Sequence, residues 1–433
     1  MKILFFSHYF PPEVNAPATR TFEHCVRWAA AGHDVTVVTC VPNCPDGVVY
    51  PGYKNRFRRQ VEMVEGVRVV RVWSYLAANS GTVKRIANYV SYMLSAILAS
   101  FRLPRPDVVI ATSPQFFCGW AGVWVSRFKR KPFVLEIRDI WPESIEAVGA
   151  MSNKLVLRYL TFLERRMYRA ADHIVAVGNG YRDNVARKIG DSSAITVLTN
   201  GVDLDRFVPA EPDDGFRKEW GLEGRFVCSY IGTIGMAHGL DVLLRAAQIL
   251  KDSGRDDVRF LLVGDGAHRR PLQDEAVRLG LEQFVLFTGR LPKEAMPRVI
   301  SSSDACLIHL RGCELFETVI PSKMFEFMAM RRPIIMGVRG EARQYVIDSG
   351  AGLEMEPDSA ESLLECVSAL ASSPSLAREL GSRAREYVAE NFSRDVIAER
   401  YLTLLDGVVT RSGRATPDQQ IVSDNALANA SRS

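Results

Sequence analysis

The chain has 433 residues, of which 47% are apolar and 24% are charged, a composition that excludes an intrinsically disordered protein and is sufficient for two domains. The net charge of +4 conceals an asymmetry, because residues 1–131 contain 17 Lys and Arg against 7 Asp and Glu, a difference of +10. These cations are interspersed through strand and helix patterns without an aromatic RNA-binding signature, so we expect no nucleic-acid partner.

The cysteines argue against two further classes of protein. The eight cysteines are scattered, none forms a CxxC pair, and the nearest two, Cys40 and Cys44, have no matching second pair. This spacing predicts reduced thiols in a cytoplasmic protein rather than a disulfide scaffold or a zinc site. The opening MKILFFSHYF is too short an apolar run for a signal peptide and predicts a buried first strand.

Short apolar runs alternate with amphipathic stretches along the chain. The runs of the first half are KILFFS, DVTVVTC, VRVVRVW, DVVIATS, FVLEI and HIVAVG. Those after residue 206 are FVCSYIG, VRFLLVG, FVLFTG, ACLIHL and PIIMGV. Helical patterns such as TFEHCVRWAAAG, KLVLRYLTFLERRMYRAA and LDVLLRAAQILKDSG lie between most of them. The alternation predicts an α/β fold with βαβ units and parallel sheets.

Two such series predict two Rossmann-like domains, joined near NGVDLDRFVPAEPDDG, where Pro, Asp and Gly mark a boundary. We expect an N-terminal domain at 1–205 and a C-terminal domain at 206–392. A helix at 393–411 should pack back on the N-terminal domain. The small, polar residues 412–433 predict a disordered tail.

Two segments of the basic first half favour contact with a membrane. IANYVSYMLSAILASF, residues 86–101, is apolar with basic flanks, but is shorter than the roughly 20 residues that span a bilayer. FFCGWAGVWVSRFKRK places Trp120, Trp124 and Phe128 before a basic cluster, as in a helix lying at an interface. Two helices packed on the N-terminal sheet explain the segments equally well. The positive charge favours peripheral binding to an anionic membrane at the cytoplasmic face.

Glycine turns follow two strands of the second half. YIGTIGMAHGLDVLL contains Gly235 and FLLVGDGAHRRPL contains Gly266. Glycine lets the backbone approach a phosphate, and helix N-termini favour negative charge. The second turn reads GxGxxR, without the third glycine of the dinucleotide fingerprint, which disfavours an NAD site. Either turn alone is typical of an ordinary strand–helix connection. Together with the helix start IPSK they favour an anion site.

The helix predicted in VIPSKMFEFMAMRRPII, residues 319–335, is apolar nearly all round and should therefore be buried. Glu326 lies in its middle, close to the positive end of the helix dipole. A buried carboxylate requires a partner, because its burial without one is costly. A ligand or a structural ion pair with Arg331 or Arg332 would each meet that requirement.

The chain resembles the family 4 glycosyltransferases, retaining enzymes of the GT-B fold, over about residues 1–410. The segments that carry the resemblance are ILFFSHYFPPE, RWAAAGHDVTVVT, ERRMYRAADHIVAVG, NGVDLDRF, VGDG, FTGRLP and PSKMFEFMAMRRPII. Within the family the chain is most similar to transferases that build bacterial O-antigen and capsule sugars, including acetamido-deoxysugar transferases. The resemblance implies two Rossmann-like domains that face each other across a cleft.

The resemblance assigns the nucleotide sugar to the C-terminal domain. Glu326 matches the family's glutamate that accepts hydrogen bonds from the ribose hydroxyls, and a carboxylate can hold two vicinal hydroxyls. We favour this role over the ion pair, which would add little stability. The implied catalytic candidate on this helix is Lys323. The implied donor-binding candidates are Glu326, Ser322, Thr318, Thr233, Gly235, His238, Gly266 and Arg290.

Three positions depart from the family pattern. The glutamate expected eight residues before Glu326 is replaced by Thr318, with Glu317 adjacent and Glu314 further back. The Arg and Lys that grip the diphosphate are replaced by Thr233 and His238. These replacements suggest either a noncatalytic protein or one in which Lys323, Ser322, the helix start and glycine-loop amides hold the phosphates.

On the acceptor side, the resemblance places PPEVNAPATR near the reaction centre, with Asn15 and Arg20 as candidates. Arg20 is equally interpreted as a surface cation that caps the next helix. EIRDIWPES replaces the histidine of some relatives and contributes Arg138 and Asp139. Asp139 is the candidate for orienting the acceptor hydroxyl, although an Asp there is also a common turn cap.

The implied reaction transfers a sugar from a nucleotide diphosphate, which we expect to be UDP-linked, to a hydroxyl with retained configuration. We expect a lipid-diphosphate-linked acceptor and no metal or other cofactor, and we interpret DLD at 203–205 as a turn rather than a metal site. A GT-B-fold nucleotide-sugar 2-epimerase and a noncatalytic nucleotide-sugar-binding subunit remain alternatives. Two observations distinguish these three functions. A transferase requires an acceptor whereas an epimerase does not, and a noncatalytic subunit shows no turnover.

Overall fold

The computed structural model describes residues 1–13, 15–44, 46–77, 82–113, 115–141, 143, 153–313 and 316–414. The chain divides into two compact units. The first, here the N-terminal domain, comprises Met1–Thr199 and the residues from Ala398 onward, and the second, the C-terminal domain, comprises Asn200–Ile397. The sequence placed the boundary six residues later, after residue 205.

The N-terminal domain contains eight strands among the residues that the structure describes. They are β1 (Lys2–Phe6), β2 (Asp34–Cys40), β3 (Gln60–Val64), β4 (Val67–Val72), β5 (Val108–Thr112), β6 (Phe133–Ile137), β7 (His173–Ala176) and β8 (Ile195–Val197). They form one sheet in the order β3-β4-β2-β1-β5-β6-β7-β8. All neighbours run parallel except β3 and β4. Strands β1, β2 and β5 are apolar because helices cover both faces of a parallel sheet.

The helices of this domain connect the strands. They are α1 (Ala16–Ala30), α2 (Thr82–Ser100), α3 (Phe116–Lys129), α4 (Lys154–Arg169) and α5 (Asn179–Ile189). One core lies on the face of the sheet covered by α2 and α3, where Tyr92 and Cys118 are fully buried. A second core contains Phe5 and Trp28 on the other face.

The C-terminal domain repeats the design with six described strands. They are β9 (Phe226–Ile231), β10 (Val258–Val263), β11 (Val285–Gly289), β12 (Ala305–His309), β13 (Ile334–Gly337) and β14 (Gly352–Glu354). The sheet is parallel with the order β11-β10-β9-β12-β13-β14. The order reverses beside β9, which is where ligands bind in open α/β sheets.

The helices of the C-terminal domain cover both faces of its sheet. They are α6 (Asp214–Glu219), α7 (Asp241–Asp252), α8 (Arg269–Arg278), α9 (Met296–Ser301), α10 (Lys323–Ala329), α11 (Glu341–Asp348), α12 (Ala360–Ser372) and α13 (Pro374–Phe392). Short 3-10 turns are formed by Met236–His238 and Lys293–Ala295. The predicted α/β class with two Rossmann-like domains is confirmed.

Three strands escaped the sequence analysis: β3, β8 and β14. Strand β3 alternates half-buried and exposed residues, as an edge strand does, and the polar Gln60 and the charged Glu62 interrupt its apolar pattern. It pairs with β4 through a two-residue turn in which Glu65 and Gly66 both have positive φ, of 47° and 81°. The other two strands have three residues each, too few for a periodic signal.

A last helix, α14 (Arg394–Arg414), ends the described part of the chain. Its residues Tyr401, Leu405 and Val408 are buried in the core that contains Phe5 and Trp28. The indole Nε1 of Trp28 donates to the carbonyl of Ala398 at 3.1 Å. The expected tail lies outside the described residues from position 415 onward.

Candidate functional site

Helix α10 follows the buried strand β12 and the segment that contains Pro321. Five of its residues, Met324, Phe325, Phe327, Met328 and Ala329, are buried in the core of the C-terminal domain. Pro321 lies two residues before the helix start at Lys323, where the absence of its N–H costs no helical hydrogen bond. The packed apolar faces therefore fix the direction in which Glu326 projects.

The carboxylate of Glu326 pairs with Lys323 one turn earlier. The Lys323 Nζ donates to Glu326 Oε2 at 2.9 Å, and the side chains are 34% and 20% exposed, respectively. Glu326 is thus half-buried rather than fully buried. The partner proposed from the sequence, Arg331 or Arg332, is not the one observed: the Arg332 Nη2 donates instead to the carbonyl of Ala210 at 3.0 Å.

Further cations surround this pair within the same domain. The Arg206 Nη2 donates to the carbonyl of Lys293 at 2.6 Å. The pKa of Lys293 is lowered, mainly by partial burial and to a smaller extent by the positive charges of Arg206 and Lys323. Glu326 opposes this shift, as a carboxylate should. Three further cations, Arg206, Lys323 and Arg394, act on Lys293 against one opposing carboxylate, Glu326, and this balance favours the binding of an anion.

The two glycine turns are joined through their backbones. The Ile234 N–H donates to the carbonyl of Asp265 at 3.0 Å, and the His268 N–H donates to the carbonyl of Ile234 at 3.0 Å. This close contact between the two backbones requires glycine at position 266, where φ is +159° and a Cβ would lie 2.4 Å from the Ile234 oxygen. The sequence predicted two separate turns, and the structure makes them one unit.

His238 is held inside the first turn. Its Nδ1 accepts from the Gly235 N–H at 3.3 Å, and its carbonyl bonds to His309 Nδ1 at 2.7 Å. Because His309 Nε2 accepts from the Asp358 N–H at 3.0 Å, the His309 proton resides on Nδ1. Burial lowers the pKa of both histidines. His238 is therefore neutral at pH 7 and does not supply the positive charge that the family resemblance predicts at this position.

Other donor-side candidates lie on the surface. The residues that are exposed are Ser322, Thr318, Thr233 and Arg290. The carbonyl of Glu317 accepts from the Glu341 N–H at 3.1 Å, so this segment is anchored through its backbone. Glu314 lies outside the described residues. Within the described part of the chain, no hydrogen bond or ion pair joins these exposed side chains to Glu326.

In the N-terminal domain, Arg20 is a buried residue of α1. Its Nε donates to Glu136 Oε2 at 3.2 Å, and its two Nη groups donate to the carbonyls of Thr199 and Leu198 at 2.6 and 2.8 Å. The interpretation as a surface cation is wrong, because Arg20 is 7% exposed. Thr112 Oγ1 donates to the other oxygen of Glu136 at 2.8 Å.

Glu136 itself was missed by the sequence analysis. It occupies β6 with no exposed surface. The signal was present, since Glu136 is the one charged residue in the apolar run FVLEI. A buried charge in such a run requires a partner of opposite sign, but its partner lies 116 residues away.

Arg138 and Asp139 follow β6 directly. Ser113 Oγ accepts from the backbone N–H of both, at 2.7 and 3.3 Å. Burial, opposed by the charge of Glu136, lowers the pKa of Arg138 to about 10. The buried Arg138 Nη1 has no hydrogen-bond partner in the described structure. An unsatisfied buried donor at a strand end is a candidate for contact with an anionic ligand.

Asn15 begins α1 as its N-cap. Its Oδ1 accepts from the Ala18 N–H at 2.9 Å. In the DLD segment, Asp203 Oδ1 accepts from the backbone N–H of Asp205 and Arg206 at 3.1 and 3.2 Å, the pattern of an Asx turn. Among the described residues, no cluster of His, Cys, Asp and Glu has an arrangement suited to a metal ion.

Comparison with known proteins gives two family matches, one in each half of the chain. Residues 15–201 match the glycosyl transferase 4-like domain, and residues 225–373 match glycosyl transferases group 1. The colanic acid biosynthesis glycosyl transferase WcaI of Escherichia coli K12 is 25% identical, over 92% of this chain and all of WcaI. The glycosyltransferase WbjE of Pseudomonas aeruginosa is 23% identical, over 75% of this chain and 80% of WbjE.

Solved structures of the same fold cover nearly the whole chain. Sucrose-phosphate synthase from Thermosynechococcus elongatus aligns with a TM-score of 0.73 and 17% identity, over 94% of this chain and 99% of that enzyme. HepE of Anabaena in complex with UDP aligns with a TM-score of 0.67 and 16% identity, over 94% of this chain and all of HepE. The two family matches and the shared architecture establish that the chain belongs to the family 4 glycosyltransferases of the GT-B fold.

Proposed function

We propose that the chain transfers a sugar, with retained configuration, from a nucleotide diphosphate donor to a hydroxyl of a lipid-diphosphate-linked acceptor in surface polysaccharide biosynthesis. We infer an acetamido-deoxyhexose as the sugar and UDP as the carrier. The names of WcaI and the UDP complex of HepE support the pathway and the carrier. The observation that carries the proposal is the partly buried Lys323–Glu326 pair at the start of a buried helix.

The pair suits the two ends of a nucleoside diphosphate. Lys323 engages one oxygen of Glu326, and a carboxylate has about four lone-pair sites. Glu326 therefore retains capacity for two ribose hydroxyls. Lys323, with Ser322 beside it, is positioned for the diphosphate, for which a lysine is a competent point charge. Arg206 and Lys293 add positive potential around the pair.

The joined glycine turns provide the remaining phosphate donors. Gly235 and Gly266 allow close approach of a ligand to the backbone, and the amides of such turns favour anions. Thr233 offers a hydroxyl where the family has a cation. Departure of the nucleotide develops negative charge on its phosphate, and fixed donors stabilise that charge in the transition state. The leaving phosphate then takes the proton of the acceptor hydroxyl.

Arg138 is the strongest acceptor-side candidate. Its buried, unsatisfied Nη1 can donate to an anionic group of the acceptor, and Asp139 beside it can orient the hydroxyl. Arg20 supports this region through its hydrogen bond to Glu136. Asn15 acts indirectly, as the N-cap that fixes the start of α1. The acceptor's lipid implies peripheral attachment at the cytoplasmic face of a membrane. Among the described residues, no helix combines the length and apolar character that a crossing requires.

A calorimetric panel of uridine and guanosine diphosphate sugars tests the donor site. We expect one sugar to bind wild type and Glu326→Ala to weaken it by about 1.5–3 kcal/mol, the value of a charged hydrogen bond. The matched control is Glu275→Ala, which removes another carboxylate from an i, i+3 ion pair in the same domain. Equal binding by Glu326→Ala and wild type would make the carboxylate structural.

A turnover assay with the identified donor then separates the three functions. Product formation that requires an acceptor supports glycosyl transfer. Conversion of the donor without an acceptor supports a 2-epimerase. Binding without turnover supports a noncatalytic subunit, for which the neutral Thr233 and His238 would be the physical reason.

A further inference from the structure

A groove of about 800 Å³ lies in the N-terminal domain. Its volume falls within the roughly 300–1,000 Å³ typical of small-molecule sites. Helices α2, α3 and α4 form its walls. Its lining includes Met93, Trp120, Trp124, Phe162, Arg127 and Arg166.

Large apolar side chains of this groove face solvent. Trp124 is 53%, Phe162 is 52% and Tyr159 is 61% exposed. Single exposed apolar residues are normal, but a contiguous set around one groove marks an interaction surface.

The charges around the groove have one sign. Arg127, Arg166 and Arg169 line it, and none of them has an ion pair with a described acidic residue. The guanidinium of Arg166 lies 5.3 Å from the centre of the Phe162 ring. The cation and the aromatic ring are therefore within the distance of a cation–π contact.

The three helices offer no exposed carboxylate to these arginines. Helices α2 and α3 contain no Asp or Glu, and the one acidic residue of α4, Glu164, is buried. Its two oxygens accept from Lys188 at 2.8 Å, and one of them also accepts from Tyr168 at 2.6 Å. The complement of this surface is therefore apolar and anionic.

We propose that the groove binds one anionic phospholipid of a membrane leaflet. The acyl chain lies along Met93, Trp120 and Phe162, and the phosphate contacts Arg127, Arg166 and Arg169. Amphipathic aromatic rings beside cations are the side chains favoured at a bilayer interface. The inference deepens, and rests on, the membrane attachment proposed above. It adds α4, whose sequence had not suggested lipid contact, and a discrete binding site.

Vesicle sedimentation tests the charge of the partner without any donor or acceptor. Wild type should bind phosphatidylcholine vesicles that contain phosphatidylglycerol and release them as salt rises. Arg127→Glu/Arg166→Glu should weaken binding by about 30-fold or more, since each basic residue near an anionic surface contributes about 1 kcal/mol. Arg127→Lys/Arg166→Lys should retain binding. The control Arg56→Glu/Arg58→Glu reverses two exposed arginines of the same domain and should bind like wild type.

Fluorescence tests occupancy of the groove. Phosphatidylglycerol with brominated chains should quench wild-type tryptophan emission, and Trp120→Phe/Trp124→Phe should lose most of that quenching. Binding to neutral vesicles as strong as to anionic ones, or unchanged quenching in the double tryptophan variant, would overturn the proposal. A binding loss equal in the Arg56/Arg58 control would also overturn it.

The outcome is distinguishable from failure of the proposed glycosyl transfer. The variant Glu326→Ala should bind vesicles like wild type whatever its activity. The groove variants should retain donor binding in the calorimetric panel. Vesicle binding without any transferase activity would support lipid binding by the groove and contradict the proposed transfer. Transferase activity without vesicle binding would support the transfer and contradict lipid binding by the groove.

Discussion

Glu136 and Glu326 are two carboxylates in apolar surroundings, one in each domain, and their partners differ. Glu136 is fully buried, and both of its oxygens are engaged, by Arg20 and by Thr112. Glu326 is 20% exposed, and its contact with Lys323 uses one oxygen. A carboxylate whose bonds are made inside the protein stabilises the fold. One that is oriented but incompletely bonded has capacity left for a ligand.

The largest expected effect comes from the same substitution at both sites. Glu136→Ala leaves Arg20 as an uncompensated buried charge and should lower the free energy of unfolding by about 3–5 kcal/mol. Glu326→Ala breaks a partly exposed pair and should cost about 1 kcal/mol or less. Urea denaturation of both variants measures the difference. Similar losses in the two variants would erase the distinction between them.

The next effect concerns the ligand rather than the fold. Lys323→Met should weaken UDP binding by about 1.5–3 kcal/mol, because a charged hydrogen bond to the diphosphate is removed. Binding of uridine, which has no phosphate, should change little. Glu326→Ala should weaken both ligands. Calorimetry with the two ligands measures this, and Lys218→Met, an exposed lysine of α6, is the control. Equal losses for uridine and UDP in Lys323→Met would contradict the assigned role.

Lowering the pH should destabilise the N-terminal domain through the buried His8. His8 is surrounded by the rings of Tyr9, Tyr89 and Tyr92, and burial lowers its pKa from 6.5 to about 3. The unfolded chain therefore binds the proton first, and stability is lost as the pH falls below 6.5. Between pH 6.5 and 5 this one group should cost up to about 2 kcal/mol.

Denaturation at both pH values, compared with His8→Phe, isolates this contribution. The variant should show a shallower pH dependence than wild type. His309 and His238 in the C-terminal domain and His33 and His173 in the N-terminal domain also have lowered pKa values, so they contribute to the residual slope with the same sign. An unchanged slope in His8→Phe would show that His8 is not the responsible group.

The smallest effect tests a candidate of the acceptor side. Asn15→Ala removes the N-cap of α1 and should lower stability by about 1 kcal/mol. Asn15→Ser should restore most of that loss because serine also caps helices. Thermal denaturation and the KM for the acceptor are measured together. A large rise in KM in both variants, with stability intact in Asn15→Ser, would instead place Asn15 against the acceptor.

The sequence predicted the domains' central strands and the position of Glu326 because both depend on local patterns. It did not identify Lys323 as the partner of Glu326, although the i, i+3 spacing on a helix makes that pair possible to find. The pairing of Arg20 with Glu136 could not be predicted from the sequence, because no local pattern links residues 116 positions apart. The burial that lowers the pKa of His238 likewise depends on tertiary packing that no local pattern in the sequence indicates.

That Thr233 and His238 replace two donor-side cations stays a prediction, and the structure adds the surroundings of His238. A histidine in place of a lysine reads as a retained cation until its surroundings are known. Burial and the bond from Gly235 place its ring inside a turn. The side chain of His238 therefore contributes to the backbone structure of the turn and carries no positive charge at pH 7.

Helix α14 has a consequence for synthesis of the protein on the ribosome. The first 199 residues leave the exit tunnel long before Tyr401, Leu405 and Val408, which belong to the same core as Phe5 and Trp28. The N-terminal domain, translated first, is thus the last to complete its packing. Until then an apolar strip beside Trp28 stays uncovered, a site at which a chaperone could bind the nascent chain. A premature stop before codon 398 would leave that strip exposed permanently.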